Sequence, residues 1–335
     1  GKLSDKIGFY KIMIFSLMTS GIAFFGLQFV TSFEGLLVAM FFIMVVADMF
    51  RPAMFVSLGA YAKPENRTRA LTLVRLAINL GFAAGPALGG LLIMTVGYKG
   101  LFWVDGATCI LAILIFWIKV KEKKKSKYTD KEHPGEILTY SVFKDRPFWI
   151  FLGATLITGI LFFQLFTTIP LYHKEQFNLS ELQTGLLLTL NGVLIFFLEM
   201  PIVSYIERHK INKLKVITLG CLAMAISMYL LLVNQWAGIL IIMMLFMTFG
   251  EMFVFPFSNS FAMSRAPKGH EGRYMAIFTM SYSTAHILSA EAGMDMIRLF
   301  SYQNNWFFMG TLGIIGVLLF IWTMKLVKYE PPRNL

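Results

Sequence analysis

Ten long apolar segments separated by short polar connections constrain this sequence more than any other feature. They cover about 12–30, 35–61, 70–95, 101–118, 148–171, 182–205, 214–233, 237–262, 273–297 and 305–324. An apolar run of about 20 residues can cross a bilayer as a helix, because a helix satisfies its backbone hydrogen bonds internally. With 57% hydrophobic and only 15% charged residues, the sequence predicts an all-α membrane protein with ten transmembrane helices.

The basic residues indicate how these helices are oriented. The formal net charge is +11, which in a soluble protein could indicate nucleic-acid binding. However, the lysines and arginines concentrate in alternate connections, and the intervening connections contain only Lys99 and Lys174. By the positive-inside rule the basic connections are cytoplasmic. We therefore expect no nucleic-acid partner, and a multi-pass protein of a cell membrane, the bacterial inner membrane, with both ends of this chain in the cytoplasm.

One sequence pattern occurs twice. Asp48-Met49-Phe50 corresponds to Glu251-Met252-Phe253, and the two acidic residues precede Pro64 and Pro267 by the same number of positions. A repeat in a hydrophobic chain indicates two similar membrane halves. We predict an N-terminal bundle at 1–118, a cytoplasmic linker at 119–147 and a C-terminal bundle at 148–335. The repeat leaves two segments of the second half without counterparts, so we expect two helices to precede Gly1 in a longer parent protein.

Several polar side chains lie inside the apolar segments, where they are expensive and usually functional. Asp48 and Arg51 are three residues apart, so they form either a buried structural ion pair or part of a polar cavity. Glu251 has no obvious local partner and is a candidate proton carrier, because burial favours a neutral carboxyl group. We predict that Asp48, Arg51 and Glu251 face one another across the two halves. Further candidates for a substrate and proton pathway are Arg75, Asn79, Gln164, Asn191, Glu199, Asn259 and His286.

Some of these candidates have structural alternatives. Asn79 and the arginine one turn before it could bond only across helices, Glu199 could reach the membrane interface, and His286 could be a satisfied interhelical histidine. Asp295 is expected to pair with Arg298 near the outer face. The sequence contains no phosphate-binding glycine loop, zinc-ligand pair or nucleophile elbow. We therefore predict that the protein is not an enzyme and has no metal or cofactor.

Two motifs carry a resemblance to a known family. GKLSDKIG is similar to the gating-loop motif of the major facilitator superfamily, matched at Gly1, Asp5, Lys6 and Gly8. GFAAGPALGG resembles the helix-packing motif in the fifth helix of its antiporters, whose small residues let helices approach closely. That motif is matched at Gly81, Gly85, Pro86, Gly89 and Gly90.

The resemblance implies a fold and a mechanism. The chain would be helices three to twelve of a twelve-helix, two-bundle protein that works by alternating access around a central cavity. We expect a monomeric secondary active transporter in the lipid bilayer, driven by a proton gradient and exporting drug-like or amphipathic small molecules. Arg51-Pro52, AINLG at 77–81 and Gly250-Glu251 are similar to features of proton-coupled oligopeptide transporters, so peptide import is the alternative. A membrane sensor without transport activity is a third.

Overall fold

The computed structural model of the protein describes residues 8–50, 53–54, 57, 61, 67–122, 142–233, 236–266 and 271–329, without the side chains of 67–72, 75–76, 83 and 271–273. Every regular element in these ranges is helical, which confirms the predicted all-α class. The α-helices are α1 (Phe9–Leu27), α2 (Phe33–Ala47), α3 (Arg67–Val96), α4 (Tyr98–Lys119), α5 (Arg146–Phe163), α6 (Thr168–Phe177), α7 (Glu181–Arg208), α8 (Lys213–Leu230), α9 (Ile239–Arg265), α10 (Glu271–Leu299) and α11 (Tyr302–Lys328).

Eight helices of the described part are long and apolar enough to cross a membrane, so the predicted count of ten is not confirmed. They are α1, α3, α4, α5, α7, α8, α9 and α11. Helix α2 has only 15 residues among those described. Helix α10 is long enough but is not one of the eight. The sequence explains this, because the middle of α10 contains several polar residues, among them Ser281, Ser283, Thr284 and His286, which lower its mean hydropathy.

The chain divides into two compact units. Unit 1 consists of Gly1–Ile78 and Leu88–Lys131, and unit 2 consists of Asn79–Ala87 and Glu132–Leu335. The middle of α3 therefore belongs to unit 2, while both ends of that helix belong to unit 1. The division after Lys131 falls inside the predicted linker at 119–147. The predicted bundle boundaries themselves stay a prediction.

In unit 1, polar contacts join α1 to the ends of α2 and α4. The Ser16 hydroxyl of α1 donates to the carbonyl of Val46 at 2.7 Å. The Tyr10 hydroxyl donates to the carbonyl of Val120 at 2.9 Å, and its ring lies 5.2 Å from that of Phe116. Buried polar groups of membrane helices need such partners because hydrocarbon offers none. These bonds fix the packing of α1, while large apolar side chains of α2 stay exposed, as expected for a lipid-facing surface.

In unit 2, an apolar core is formed by α5, α8, α9 and α11. It contains six fully buried methionines, whose flexible side chains fill irregular gaps between helices. They are Met224, Met228, Met243, Met244, Met247 and Met309. Helix α5 ends at Phe163 and continues as a 3-10 turn, Gln164–Phe166, before α6 begins. Helix α7 crosses this unit from a capping box at Ser180 and Gln183 to Arg208. Together α7 and α9 carry the acidic side chains of the candidate site.

Candidate functional site

Glu251 lies in the middle of α9 and is held by a side chain of α7. The Asn191 amide donates to the Glu251 carboxylate at 3.0 Å and to the Thr248 hydroxyl oxygen at 2.9 Å. Thr248 and Glu251 are three residues apart, so they share one face of α9. The Thr248 hydroxyl in turn donates to the carbonyl of Met244 at 2.7 Å. The sequence shows no local partner for Glu251, and the structure supplies one from another helix.

A glycine pair next to Glu251 sets the position of α9. A Cβ atom at Gly220 of α8 would lie 2.8 Å from the Gly250 carbonyl oxygen, and one at Gly250 would lie 2.8 Å from that of Gly220. Real Cβ atoms do not approach so closely. The two helices can therefore contact backbone to backbone only because both residues lack a side chain. Since successive helical residues point about 100° apart, α9 contacts α8 through Gly250 and α7 through Glu251.

Glu199 provides a second carboxylate on α7. It is 8% exposed, and its carboxylate accepts a hydrogen bond of 3.4 Å from the Asn79 amide in the middle of α3. Asn191 and Glu199 are about two helical turns apart on the same helix. Four predicted pathway residues, Asn79, Asn191, Glu199 and Glu251, thus lie within unit 2 and form two carboxylate–amide pairs. Their role in a pathway stays a prediction.

The close contact of the glycine-rich segment differs from the predicted one. We predicted tight packing at Gly81 and Gly85, but no described atom lies within 4 Å of a Cβ atom placed at either residue. Among the described residues these two glycines make no close contact, and their packing role stays a prediction. The close approach is made by Pro86, whose carbonyl would collide with a Cβ atom at Gly185 of α7. The small residue that this contact requires is therefore on the opposite helix. Of the other motif glycines, Gly89 is in ordinary contact with Leu101 and Gly90 is buried.

Gln164 does not line an open surface in this structure. Its side chain is fully buried, and its amide donates to the Ser289 carbonyl at 2.9 Å and to the Ser289 hydroxyl at 2.8 Å. Its carbonyl oxygen accepts from the Thr168 hydroxyl. Gly293 of α10 packs directly against the same side chain. All polar groups of Gln164 are engaged by other side chains and backbone in this structure, where it joins the end of α5 to α6 and α10. Its pathway role stays a prediction.

The remaining candidates on α9 and α10 are exposed. The His286 ring stacks on Phe163 with a centroid distance of 4.4 Å, and Asn259 is exposed on α9. The predicted pairing of Asp295 with Arg298 is confirmed by an N–O distance of 2.9 Å. Since both side chains are exposed, this pair belongs to the surface of the unit.

Several predicted residues of the N-terminal half lie outside the described residues. They are Arg51 and the loop residues Gly1, Asp5 and Lys6, and the side chain of Arg75 lies outside as well. Asp48 is described and exposed, and it follows the last residue of α2. The sequence predicted one continuous span across 35–61, whereas α2 ends at Ala47 and Asp48 begins a turn. Gly8 precedes α1 with a φ of 94°, which favours glycine at the end of the loop motif. The grouping of Asp48, Arg51 and Glu251 stays a prediction.

One buried charge cluster was missed by sequence reasoning. The Asp145 carboxylate accepts hydrogen bonds from Arg265 Nη2 at 2.6 Å and from the Tyr274 hydroxyl at 2.9 Å. It also accepts from the Phe148 backbone N–H at 3.2 Å and so caps α5. The signal was Asp-Arg-Pro, an N-cap residue just before a proline in the first helical turn. The cluster joins the ends of α5, α9 and α10.

Comparisons with known proteins agree with this architecture. The sequence model of the Major Facilitator Superfamily matches residues 1–290. A Na⁺, Li⁺, K⁺/H⁺ antiporter of Planococcus maritimus is 22% identical over 366 residues, covering 100% of this chain and 85% of the relative. An uncharacterized MFS-type transporter of Bacillus subtilis, YttB, is 26% identical over 278 residues, covering 82% of this chain and 68% of the relative.

A solved structure shows the same fold. The POT family transporter PepTSo has a TM-score of 0.77 to this chain at 17% sequence identity, and the match covers 97% of this chain and 85% of that structure. At this identity the likeness concerns the fold, and it confirms the resemblance inferred from the two sequence motifs.

Proposed function

This chain belongs to the major facilitator superfamily, and we propose that it is a proton-coupled secondary transporter that exports cationic or amphipathic small molecules. One observation carries the proposal. Glu251 is a carboxylic acid in the middle of a membrane helix, and the partner that the structure gives it is the neutral amide of Asn191. At this depth an ionised carboxylate is costly, and either protonation or a bound cation removes that cost. Glu251 can therefore bind either a proton or a cationic group, and the binding of one excludes the other.

This exclusion provides a mechanism of exchange. When Glu251 is ionised, it attracts a cationic group of the substrate, and when it takes up a proton that attraction disappears. Proton entry from one side therefore releases substrate on the same side, and substrate binding on the other side releases the proton. Alternating access makes the two sides available in turn.

Two further findings support exchange. The matched relative from Planococcus maritimus is named as an antiporter of alkali cations and protons. In addition, the Gly250-Glu251 sequence, which also resembles peptide transporters, has a packing explanation of its own. Gly250 is needed for the contact with Gly220 whatever the substrate is. The presence of Gly250-Glu251 is therefore weaker support for peptide import than the sequence alone indicates.

Proteoliposomes test the proposal directly. The purified protein is reconstituted with a pH-sensitive dye inside the vesicles, and Na⁺, K⁺, an organic dye cation or a dipeptide is added outside. For exchange we expect a cation to drive proton movement in the direction opposite to its own. Movement of protons together with a dipeptide would establish the alternative, peptide import. Proton movement that no added substrate changes would contradict coupled transport.

A further inference from the structure

A cavity of about 560 Å³ lies in unit 2, away from Glu251, at the junction between α7 and α8. Its wall is made by the end of α7, the connection 209–212, the start of α8 and the last turns of α9 and α11. This connection is one of the basic segments that the sequence assigns to the cytoplasmic face. The volume is within the range of about 300–1,000 Å³ of small-molecule sites. Nothing in the transport mechanism uses this cavity.

The charged residues of the wall are mostly basic. Lys210 and Lys213 line the cavity together with Glu207, which leaves a net positive charge on the wall. Lys210 is exposed in a left-handed turn with a φ of 51°. The Lys213 ammonium donates to the Ser260 hydroxyl at 2.6 Å. An ammonium group has three donors, so Lys213 keeps two for a ligand. The cavity therefore offers donors to an anion.

The rest of the wall is mainly apolar. Phe257 and Phe261 of α9 are buried and line the cavity, as do Leu214 of α8 and Val327 of α11. A free phosphate ion would gain nothing from these aromatic and aliphatic side chains. A molecule with an anionic head and an apolar tail would contact both parts of the wall. The site also lies at the ends of membrane helices, where lipid headgroups are found.

We propose that this cavity binds the headgroup of an anionic phospholipid. The phosphate contacts the ammonium groups of Lys210 and Lys213, and the first part of the acyl region packs against Phe257 and Phe261. Anionic lipids are enriched in the cytoplasmic leaflet, the face on which the sequence places this connection. The bound lipid joins the ends of α7, α8 and α9, which carry or position Glu251.

Native mass spectrometry of the full chain in detergent tests the proposal with two defined lipids. They are palmitoyl-oleoyl phosphatidylglycerol, which is anionic, and palmitoyl-oleoyl phosphatidylcholine, which has the same acyl chains but a zwitterionic headgroup. We expect phosphatidylglycerol to bind more tightly. Lys210→Ala and Lys213→Ala should each weaken its binding about fivefold, and the double variant roughly twentyfold. Lys210→Arg keeps the charge and should bind within about twofold of the parent. Lys215→Ala is the matched control, since this exposed lysine follows the same connection but does not line the cavity.

Three outcomes would overturn the assignment. One is equal binding of both lipids by the parent, and another is the same loss in Lys215→Ala as in Lys210→Ala. The third is displacement of phosphatidylglycerol by glycerol phosphate, which would show a site for soluble phosphates. If Lys213→Ala fails to fold, because Lys213 also bonds to Ser260, the comparison of Lys210→Ala with Lys210→Arg decides. The measurement is independent of transport, so its failure would leave the proposed exchange untouched.

Discussion

Asn191 is the residue that most directly controls the surroundings of Glu251. Its amide bridges the Glu251 carboxylate and the Thr248 hydroxyl, and both bonds cross from α7 to α9. Replacing Asn191 with alanine would remove the donor and leave a polar group at membrane depth with one partner fewer. Such a loss typically costs about 1–3 kcal/mol.

For Asn191→Ala we therefore expect proton-coupled transport to fall by about one order of magnitude, measured as initial rate in proteoliposomes. Asn304→Ala, in the first turn of α11 and exposed, is the comparison. It should transport nearly as well as the parent. Equal losses in both variants would show that the bridge to Glu251 has no special role.

At this scale, the sequence identified which residues are unusual but could not pair them. An acidic or amide side chain inside an apolar run is visible at once, as Glu251 and Asn191 show. Their contact depends on the rotation of two helices about their axes, which no local pattern records. Gln164 is a second example. It met the same criterion, but its hydrogen bonds to Ser289 use its polar groups for packing.

At the scale of the elements, the contact between α3 and α7 predicts sensitivity at a glycine outside the sequence motif. Gly185→Leu should push α7 away from Pro86, because overpacking a close contact costs about 1–3 kcal/mol. Gly85→Leu should be tolerated, since no described atom lies near its Cβ position. Thermal unfolding in detergent, monitored by size-exclusion chromatography, measures the stability of both variants. A larger loss in Gly85→Leu than in Gly185→Leu would contradict the described packing.

The buried cluster at Asp145 gives a second prediction for the elements. Asp145→Ala removes a carboxylate from Arg265 and the cap from α5, and breaking a buried ion pair typically costs about 3–5 kcal/mol. The pair of Asp295 and Arg298 is the control, because its side chains are 58% and 73% exposed. Asp295→Ala should change stability by less than about 1 kcal/mol. Denaturation midpoints of the two variants test this, and equal midpoints would contradict a stabilising role for Asp145.

Helices were easier to predict than their ends and contacts. Long apolar runs identified the helices because hydrocarbon strongly favours that conformation. The break after Ala47 was not predicted, since the apolar composition continues beyond Asp48. The glycine motif indicated that a close contact exists, but the glycine that it requires, Gly185, is on another helix.

For the whole molecule, the distribution of lysine and arginine predicts the orientation in the membrane. A single cysteine at Lys210 should react with a membrane-impermeant maleimide only from the cytoplasmic side, and one at Lys174 only from the opposite side. The background lacks Cys109 and Cys221, which lie in membrane segments. Labelling of both positions from the same side would refute the predicted topology.

The family and the all-α fold could be derived from the sequence, because composition and two motifs depend only on residue order. The position of one half relative to the other could not be derived from the sequence. The predicted group of Asp48, Arg51 and Glu251 requires the halves to face each other, and Arg51 lies outside the described residues. The coupling role of Glu251 is therefore the claim to test first.

The most direct test measures accumulation against a gradient in proteoliposomes of the parent, Glu251→Gln and Glu291→Gln. Glutamine keeps the shape of the side chain and can still accept the hydrogen bond from Asn191 through its carbonyl oxygen, but it cannot exchange a proton. Glu291 is an exposed glutamate of α10 and serves as the matched control. We predict that Glu251→Gln loses proton-driven accumulation while substrate exchange at equal pH remains measurable, and that Glu291→Gln resembles the parent. Accumulation by Glu251→Gln at the parental level would contradict the proposed coupling.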